Sequence, residues 1–168
     1  MWGKFPNLGG AVADDAITFN FLGTSPLNLD SKGRVAMPAR HREVLETGSE
    51  GKIVINPDIR DECLVIFPVP VWVQFQEKVM TLPFREDIQD LQRHLIGGAQ
   101  EIEFDSAGRM TIPPHLREQA ELGKQVLLIG QGKKLELWDK ARWEAKRERW
   151  KQELKTKPLP PELHTLNF

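Results

Sequence analysis

The residues with the clearest chemical potential in this 168-residue chain are two arginines that close short glycine turns. The run Asp30-Ser31-Lys32-Gly33-Arg34 recurs 75 positions later as Asp105-Ser106-Ala107-Gly108-Arg109. In such a turn the aspartate accepts hydrogen bonds from backbone N–H groups ahead of it, and the glycine supplies a conformation that few other residues adopt. The arginine then carries a planar fork of donors that suits phosphate oxygens or the O6/N7 edge of guanine. The two turns therefore predict a pair of DNA-binding loops.

Local charge supports this prediction more strongly for the first copy than for the second. Between positions 31 and 42 the chain has no acidic residue and four basic ones, Lys32, Arg34, Arg40 and Arg42. We predict that Lys32 and Arg40 add to the DNA-binding surface. The second copy has acidic residues just upstream of Arg109. Because the formal net charge of the chain is −1, the positive field must be local and DNA binding should be strongly salt-dependent.

A purely structural interpretation of the same turns remains open. Aspartate and arginine four positions apart across a turn can pair with each other, and turn chemistry alone explains the aspartate and the glycine. Duplication does not decide between the two interpretations, because duplicated turns also share structural requirements.

The turns belong to a tandem duplication, since Pro38 and Arg42 have counterparts in Pro113 and Arg117, and Trp72 has one in Trp143. The sequence of each unit predicts the same order of elements: a strand, the turn, a second strand, a helix that begins at a proline, two more strands and a final helix. The predicted strands cover 19–29, 35–37, 52–55 and 63–67, then 99–104, 110–112, 125–129 and 135–138. Helices are predicted over 38–46 and 113–122, around 71–79 and around 143–150.

These elements predict a domain organisation in which two small units pack face to face and share one core. The first unit is expected at 20–82 and the second at 97–150, joined by a helix over 83–96 that begins at Pro83 and carries a stripe of Phe84, Ile88, Leu91 and Leu95. Residues 1–19 are expected to form a disordered extension, and residues 151–168 an extended C-terminal tail.

Catalysis finds little support in the sequence, and no catalytic residue, cofactor, metal or small-molecule substrate is expected. The four histidines lack metal-ligand spacing, and Cys63 stands in an apolar run as a small buried residue. Gly130-Gln131-Gly132 predicts a hairpin turn rather than a phosphate loop, and the acidic alternation of Glu101, Glu103 and Asp105 predicts a solvated strand face rather than a cation site. An oligomeric scaffold that docks protein through the same loops remains the main alternative to a DNA-binding protein.

The sequence also indicates the cellular compartment of the protein. No apolar stretch is long enough to span a bilayer, the start lacks a secretion signal, and a single cysteine excludes a disulfide framework within one chain. A cytoplasmic protein is therefore expected.

Four segments together resemble the MraZ family of bacterial regulators: Asn28–Arg34, Pro38–Arg40, Asp105–Arg109 and Val126–Gly130. The resemblance runs from Phe21 to about Trp150. It implies an α+β fold of two tandem AbrB-like swapped-hairpin units, packed together as one pseudo-twofold module. It also implies a ring-shaped homo-oligomer that is nucleoid-associated and acts mainly as a repressor of the division and cell wall gene cluster. Binding to G-rich direct repeats in double-stranded promoter DNA would then use the two loops.

The resemblance carries the family's DNA-contacting arginines onto Arg34 and Arg109, within loops that include Asp30 and Asp105. The chain departs from the family at residues 1–19, which precede the family's typical start. It also has Ala107 where the first loop has Lys32, so the two loops are expected to contribute unequally.

Overall fold

The structure is a computed structural model that describes residues 18–166. None of the helices in this range is long and apolar enough to cross a membrane. The elements occur in the order β1 (Thr24–Asn28), β2 (Arg34–Ala36), α1 (Ala39–Ser49), β3 (Lys52–Pro57), β4 (Cys63–Pro68), α2 (Val69–Met80), α3 (Glu86–Leu95), β5 (Gln100–Glu103), β6 (Arg109–Thr111), α4 (Pro114–Gln119), β7 (Gln125–Gln131), β8 (Lys134–Asp139) and α5 (Lys140–Thr156), followed by a 3-10 helix (Pro161–Thr165).

The main sheet is built by exchange of strands between the two units. It has six antiparallel strands in the order β1-β7-β8-β4-β3-β5, and a second sheet consists of β2 and β6. The first strand of each unit therefore pairs with the hairpin of the other unit, β1 with β7 and β5 with β3. This topology confirms the predicted α+β fold of tandem swapped-hairpin units.

The strand registers reveal a local twofold axis relating the units. In the pairing of β4 with β8, Val65 stands opposite Glu136, which is its own counterpart in the duplication. In the pairing of β2 with β6, Val35 stands opposite its counterpart Met110. Equivalent residues meet at the centre of both pairings, so the predicted pseudo-twofold arrangement is present.

One core lies between the six-stranded sheet and the β2–β6 ribbon, and both units supply it. The inward residues of the sheet alternate with outward ones, as the pleat requires. Fully buried members include Val35, Leu45, Ile53, Ile55, Leu64, Ile66, Met110, Ile112, Leu116, Leu128, Leu135 and Leu137. Each such side chain contributes on the order of 2 kcal/mol through burial, and neither unit has this core alone.

The structure corrects the expectation for the start of the chain. Phe19, assigned above to the disordered extension, is buried and stacks on Phe21 with ring centroids 6.1 Å apart. The first strand begins at Thr24 instead of residue 19, because Phe21 makes only an isolated bridge to Gly132. The remaining expectation of disorder falls on residues 1–17, which lie outside the described residues.

The predicted hairpin turn is displaced by two residues. Strand β7 continues through Gly130 and Gln131, so the turn lies at Gly132-Lys133, where Gly132 has a φ of +71°. A Cβ on Gly130 would meet the backbone of Phe21 and Leu22. The glycine at position 130 therefore serves a close backbone approach, which the sequence pattern does not distinguish from a turn.

Several helix boundaries differ from the prediction, and those of α3 and α5 differ most. Helix α3 begins at Glu86 instead of Pro83, and Phe84 lies before it with 90% of its surface exposed, so Phe84 is not part of the buried stripe. Helix α5 continues to Thr156, so the first six residues of the predicted tail are helical. Nothing between Trp150 and Thr156 breaks a helix, and the first proline after α5 is Pro158.

Candidate nucleic-acid interface

The first loop is a tight turn organised by the carboxylate of Asp30. Its Oδ1 accepts hydrogen bonds from the backbone N–H groups of Lys32 at 2.9 Å and Arg34 at 2.8 Å. The N–H of Gly33 donates to the carbonyl oxygen of Asp30 at 3.0 Å, and Gly33 has a φ of +76°. The aspartate and the glycine therefore have the structural roles expected of them.

The second loop repeats this geometry. Asp105 Oδ1 accepts from the N–H groups of Ala107 and Arg109, both at 2.9 Å, and Gly108 has a φ of +74°. Position 107 contributes only its backbone N–H to the turn, as position 32 does. The replacement of lysine by alanine therefore changes the charge of the loop and leaves the turn intact.

Each aspartate also orients the arginine of its own loop. The Nε atom of Arg34 donates to Asp30 Oδ2 at 2.7 Å, and that of Arg109 donates to Asp105 Oδ2 at 2.8 Å. Within residues 18–166, no other acceptor binds either guanidinium group, so the two Nη atoms of each fork keep their donors. The pairing holds the fork in place and leaves its outer edge available.

The pKa values of both aspartates lie below the ordinary value of 3.8. The largest cause of the lowered pKa is the hydrogen bond from the backbone N–H of Arg34 or Arg109, and the guanidinium of the same residue acts in the same direction. Both carboxylates are therefore charged at neutral pH, which maintains the hold on each arginine.

The two arginines lie on one face of the ribbon. Arg34 opposes Thr111 and Arg109 opposes Ala36, so all four side chains leave from the same side of β2 and β6. Val35 and Met110 leave from the other side and are fully buried. Ordinary strand dimensions place the two arginine Cα atoms about 8 Å apart on this outward face.

Each loop is tied to the opposite unit through its glycine carbonyl. The N–H of Ile112 donates to Gly33 O at 2.7 Å, and the N–H of Met37 donates to Gly108 O at 3.1 Å. These bonds extend the ribbon beyond its three paired residues on each strand. The relative position of the two loops is therefore determined by main-chain hydrogen bonds.

Arg42 and Arg117, which were not among the predicted site residues, lie directly against the loops. A Cβ on Gly33 would be 2.7 Å from Arg117 Cζ, and a Cβ on Gly108 would overlap the guanidinium of Arg42. Arg117 Nε is buried and has no hydrogen-bond partner in the described part of the chain. Each arginine contacts the loop of the other unit, so the signal for them was their equivalence in the duplication combined with strand exchange.

Lys32 and Arg40 occupy different environments. Lys32 is exposed at the tip of its loop, beside Arg34. Arg40 lies on α1 with its Nη2 donating to Ser25 Oγ at 2.9 Å and its Nε donating to His41 Nε2 at 3.3 Å. The structure thus holds Arg40 against β1 and does not bring it into contact with the turn.

The residues considered for other chemistry have structural environments. Across residues 18–166 there is no group of three or more His, Cys, Asp or Glu that could hold a metal ion. Cys63 is buried, and burial raises the pKa of its thiol. Glu101 and Glu103 are exposed on β5, and Asp105 organises its own turn.

Fold and site together define a class of protein: a tandem swapped-hairpin protein that presents two oriented arginine forks on one two-stranded ribbon. The family model described as "MraZ protein, putative antitoxin-like" matches residues 20–94 and 95–159. The chain is 47% identical over 151 residues to a protein named "Transcriptional regulator MraZ" from Coxiella burnetii, covering 88% of this chain and 99% of that protein. A protein of the same name from Halorhodospira halophila is 47% identical over 149 residues, covering 87% and 98%. The chain belongs to the MraZ family.

Proposed function

We propose that this protein is a sequence-specific DNA-binding transcriptional regulator, acting mainly as a repressor of the division and cell wall gene cluster. It binds G-rich direct repeats in its own promoter through the loops Asp30–Arg34 and Asp105–Arg109. The observation that carries the proposal is the pair of guanidinium forks on the same face of the ribbon, each oriented by its aspartate through Nε. No acceptor among residues 18–166 binds the Nη donors of either fork. The names of the relatives support the regulatory role.

The geometry suits the major groove. A two-stranded ribbon is narrow enough to enter it, and a guanidinium fork pairs with guanine O6 and N7. A separation of about 8 Å between the arginine Cα atoms corresponds to about two base-pair steps at a rise of 3.4 Å. Lys32, Arg42 and Arg117 place further positive charge around the loops, where phosphates would lie.

The proposal includes a homo-oligomeric ring in the cytoplasm, associated with the nucleoid. One protomer with few cationic contacts binds weakly, whereas neighbouring protomers on successive repeats raise the effective concentration. Direct repeats suit a head-to-tail interface that closes on itself, since adjacent subunits then face the same way. Variants that break the ring should therefore weaken promoter binding even when the loops are intact.

The test compares a duplex that holds several G-rich direct repeats with a scrambled duplex of equal length, at two salt concentrations. For the parent protein we expect preference for the repeats and a steep salt dependence. Arg34→Ala and Arg109→Ala should each reduce that preference by about 10- to 100-fold, since a bidentate contact discriminates by about 1–3 kcal/mol. Arg93→Ala is the matched control, because Arg93 is an exposed arginine that also pairs with an aspartate, Asp90 Oδ1, at 2.6 Å, outside the loops.

The second candidate is an oligomeric scaffold whose loops dock an acidic protein surface. The free Nη donors would serve such a partner equally well. In that case the parent protein and both arginine variants bind the repeats and the scrambled duplex alike.

A further inference from the structure

The outer face of the six-stranded sheet is closed in the first unit. Helix α2 packs Trp72 and Phe75 against Val65 and Phe67 of β4, and the Phe67 and Trp72 ring centroids lie 5.6 Å apart. Trp72 is only 6% exposed. The aromatic residues of this unit's outer face are therefore packed against its own final helix.

The equivalent site in the second unit is open. The counterparts of those four residues, 71 positions later, are Glu136, Trp138, Trp143 and Lys146. Trp138 and Trp143 keep the aromatic contact at 5.2 Å. Lys146 Nζ lies over the Trp138 ring, 5.7 Å from its centroid, and bonds to Asp61 Oδ1 at 2.6 Å, while Glu136 accepts from Trp138 Nε1 at 2.9 Å.

Val65 and Phe75, which are apolar and pack on the outer face of the first unit, are thus replaced by the charged Glu136 and Lys146, which form polar contacts instead. What remains is a groove of about 730 Å³, referred to below as the tryptophan groove. Its lining is aromatic and basic at Trp138, Trp143, Trp150, Lys146, Arg147 and Arg149, and acidic at Asp61, Glu136 and Glu153. Each of the three carboxylates already has a partner, namely Lys146 for Asp61, Trp138 Nε1 for Glu136 and Lys157 for Glu153. Trp150 extends the aromatic surface along α5 and is 58% exposed.

The groove combines aromatic surface with unpaired positive charge. Helix α5 carries seven basic and three acidic residues, in a chain whose formal net charge is −1. Arg147 and Arg149 form no ion pair within residues 18–166. A suitable occupant therefore presents a large apolar side chain followed closely by an acidic one.

The chain itself contains such a segment, Met80–Glu86, which connects α2 to α3. Met80 is 57%, Leu82 39% and Phe84 90% exposed. Phe84 is the most exposed large hydrophobic side chain of the described residues, and Glu86, two positions later, forms no ion pair there. Isolated exposed apolar residues are ordinary, but three exposed ones within seven residues, beside an unpaired carboxylate, are a concentration that fits a contact surface.

We propose that the tryptophan groove binds the Met80–Glu86 segment of a second copy of this chain, with Phe84 entering beside Trp143 and Trp150 and Glu86 meeting Arg147 or Arg149. The two surfaces differ from each other, so the contact is heterologous and repeats head to tail. This inference deepens the homo-oligomer of the proposed function by naming both of its surfaces, and it does not depend on DNA binding.

The first test measures self-association by sedimentation in the absence of DNA. Phe84→Ser and Trp150→Ser should each weaken association by about 30-fold, the effect of truncating one aromatic residue at the centre of an interface. Because both side chains are largely exposed, circular dichroism should show an unchanged fold. Leu22→Ser is the matched control, since Leu22 is 65% exposed and lines neither surface. A monomeric parent, or variants that associate like the control, would overturn the proposal.

The second test mixes the two variants. Phe84→Ser keeps an intact groove and Trp150→Ser keeps an intact segment, so an equimolar mixture should form a 1:1 dimer that neither variant forms alone. An interface in which one patch meets its own copy predicts no such complementation, and its absence would contradict the head-to-tail contact.

Failure of this inference is distinguishable from failure of the proposed function. The assembly is measured without DNA, whereas the proposed function fails when the parent protein does not distinguish repeats from scramble. A parent that prefers the repeats while Phe84→Ser assembles normally overturns only the assignment of surfaces. A parent that assembles through these surfaces but binds both duplexes alike overturns only the DNA proposal.

Discussion

At the scale of single residues, Asp30 and Asp105 have roles that fit both the structural and the DNA-binding interpretation of the two turns. Each aspartate organises its turn through Oδ1 and holds its arginine through Oδ2. A structural aspartate–arginine pair and a donor fork ready for a ligand are thus features of the same arrangement. The ion pair uses the Nε donor of each arginine and orients the Nη donors.

Asp30→Asn tests this orienting role. The amide oxygen can still accept the backbone N–H groups, but the charge that holds Arg34 Nε is lost. We expect discrimination between repeats and scramble to fall by about tenfold, while binding to the scramble rises at low salt because a negative charge near the phosphates is removed. Duplex titrations measure both quantities.

The matched control is Asp90→Asn, which removes an equivalent carboxylate from the exposed Arg93–Asp90 pair, outside the loops and outside the Met80–Glu86 segment. Unchanged discrimination in Asp30→Asn would show that Arg34 does not depend on Asp30 for its orientation.

His41 gives a second prediction at this scale. Its ring is buried edge-on against Phe21 at 5.4 Å, and burial, followed by the charge of Arg40, lowers the pKa of His41 below the ordinary 6.5. Below pH 6.5 the unfolded chain gains a proton that the folded chain resists, so the free energy of unfolding should decrease as the pH falls from 7.5 to 5.5. Urea denaturation at several pH values measures this slope.

His41→Leu should flatten the slope, because the leucine has no proton to gain. His115→Gln, at an exposed histidine on α4, is the control and should retain it. Equal slopes in the parent and in His41→Leu would contradict this assignment.

At the scale of elements, the ribbon of β2 and β6 depends on both units. Its strands are only three residues long, and it is extended by hydrogen bonds to the glycine carbonyls of the two loops. Arg42 and Arg117 pack against those same glycines. Loop position is therefore a property of the exchanged pair and not of either unit alone.

Comparison of two glycines separates the effect of packing from that of backbone conformation. Gly132→Ala should cost about 1 kcal/mol, because its φ of +71° is unfavourable for alanine but nothing lies within 4 Å of the new Cβ. Gly33→Ala combines a φ of +76° with a Cβ 2.7 Å from Arg117 Cζ, and should cost at least about 1 kcal/mol more. Chemical denaturation measures both losses, and equal losses would show that Arg117 moves aside freely.

The sequence predicted where the strands lie along the chain better than it predicted which strands pair with each other. Alternation and turn residues located the eight strands, and the duplication indicated two equivalent units. Which strand lies beside which was not readable from the pattern, because the pairings of β1 with β7 and of β5 with β3 join residues far apart in the chain. For the same reason Arg42 and Arg117 were not placed at the site, since Arg42 contacts a glycine 66 positions later in the chain and Arg117 contacts one 84 positions earlier.

At the scale of the whole molecule, strand exchange makes the two units one folding body. The central pairing of β4 with β8 joins them, and both contribute to the same core. Twofold symmetry is broken on the outer face, where α2 packs against the sheet in one unit and the other unit leaves the tryptophan groove open.

Native-state hydrogen exchange tests the single folding body. The amides of β4 and β8 should exchange with the same free energy, equal to that of global unfolding, because opening either strand removes the core of both units. The comparison is best made on Phe84→Ser, where assembly does not contribute. Earlier exchange throughout one unit would contradict a shared core.

The central claim is that Arg34 and Arg109 read guanine through the oriented forks, and 7-deazaguanine tests it most directly. This base lacks the N7 acceptor but keeps its Watson–Crick pairing. Placed at the guanines of the repeats, it should weaken binding of the parent by about tenfold for each contacted guanine and leave the Arg34→Ala, Arg109→Ala double variant unaffected. An equal loss in both proteins, or no loss in the parent, would contradict the account.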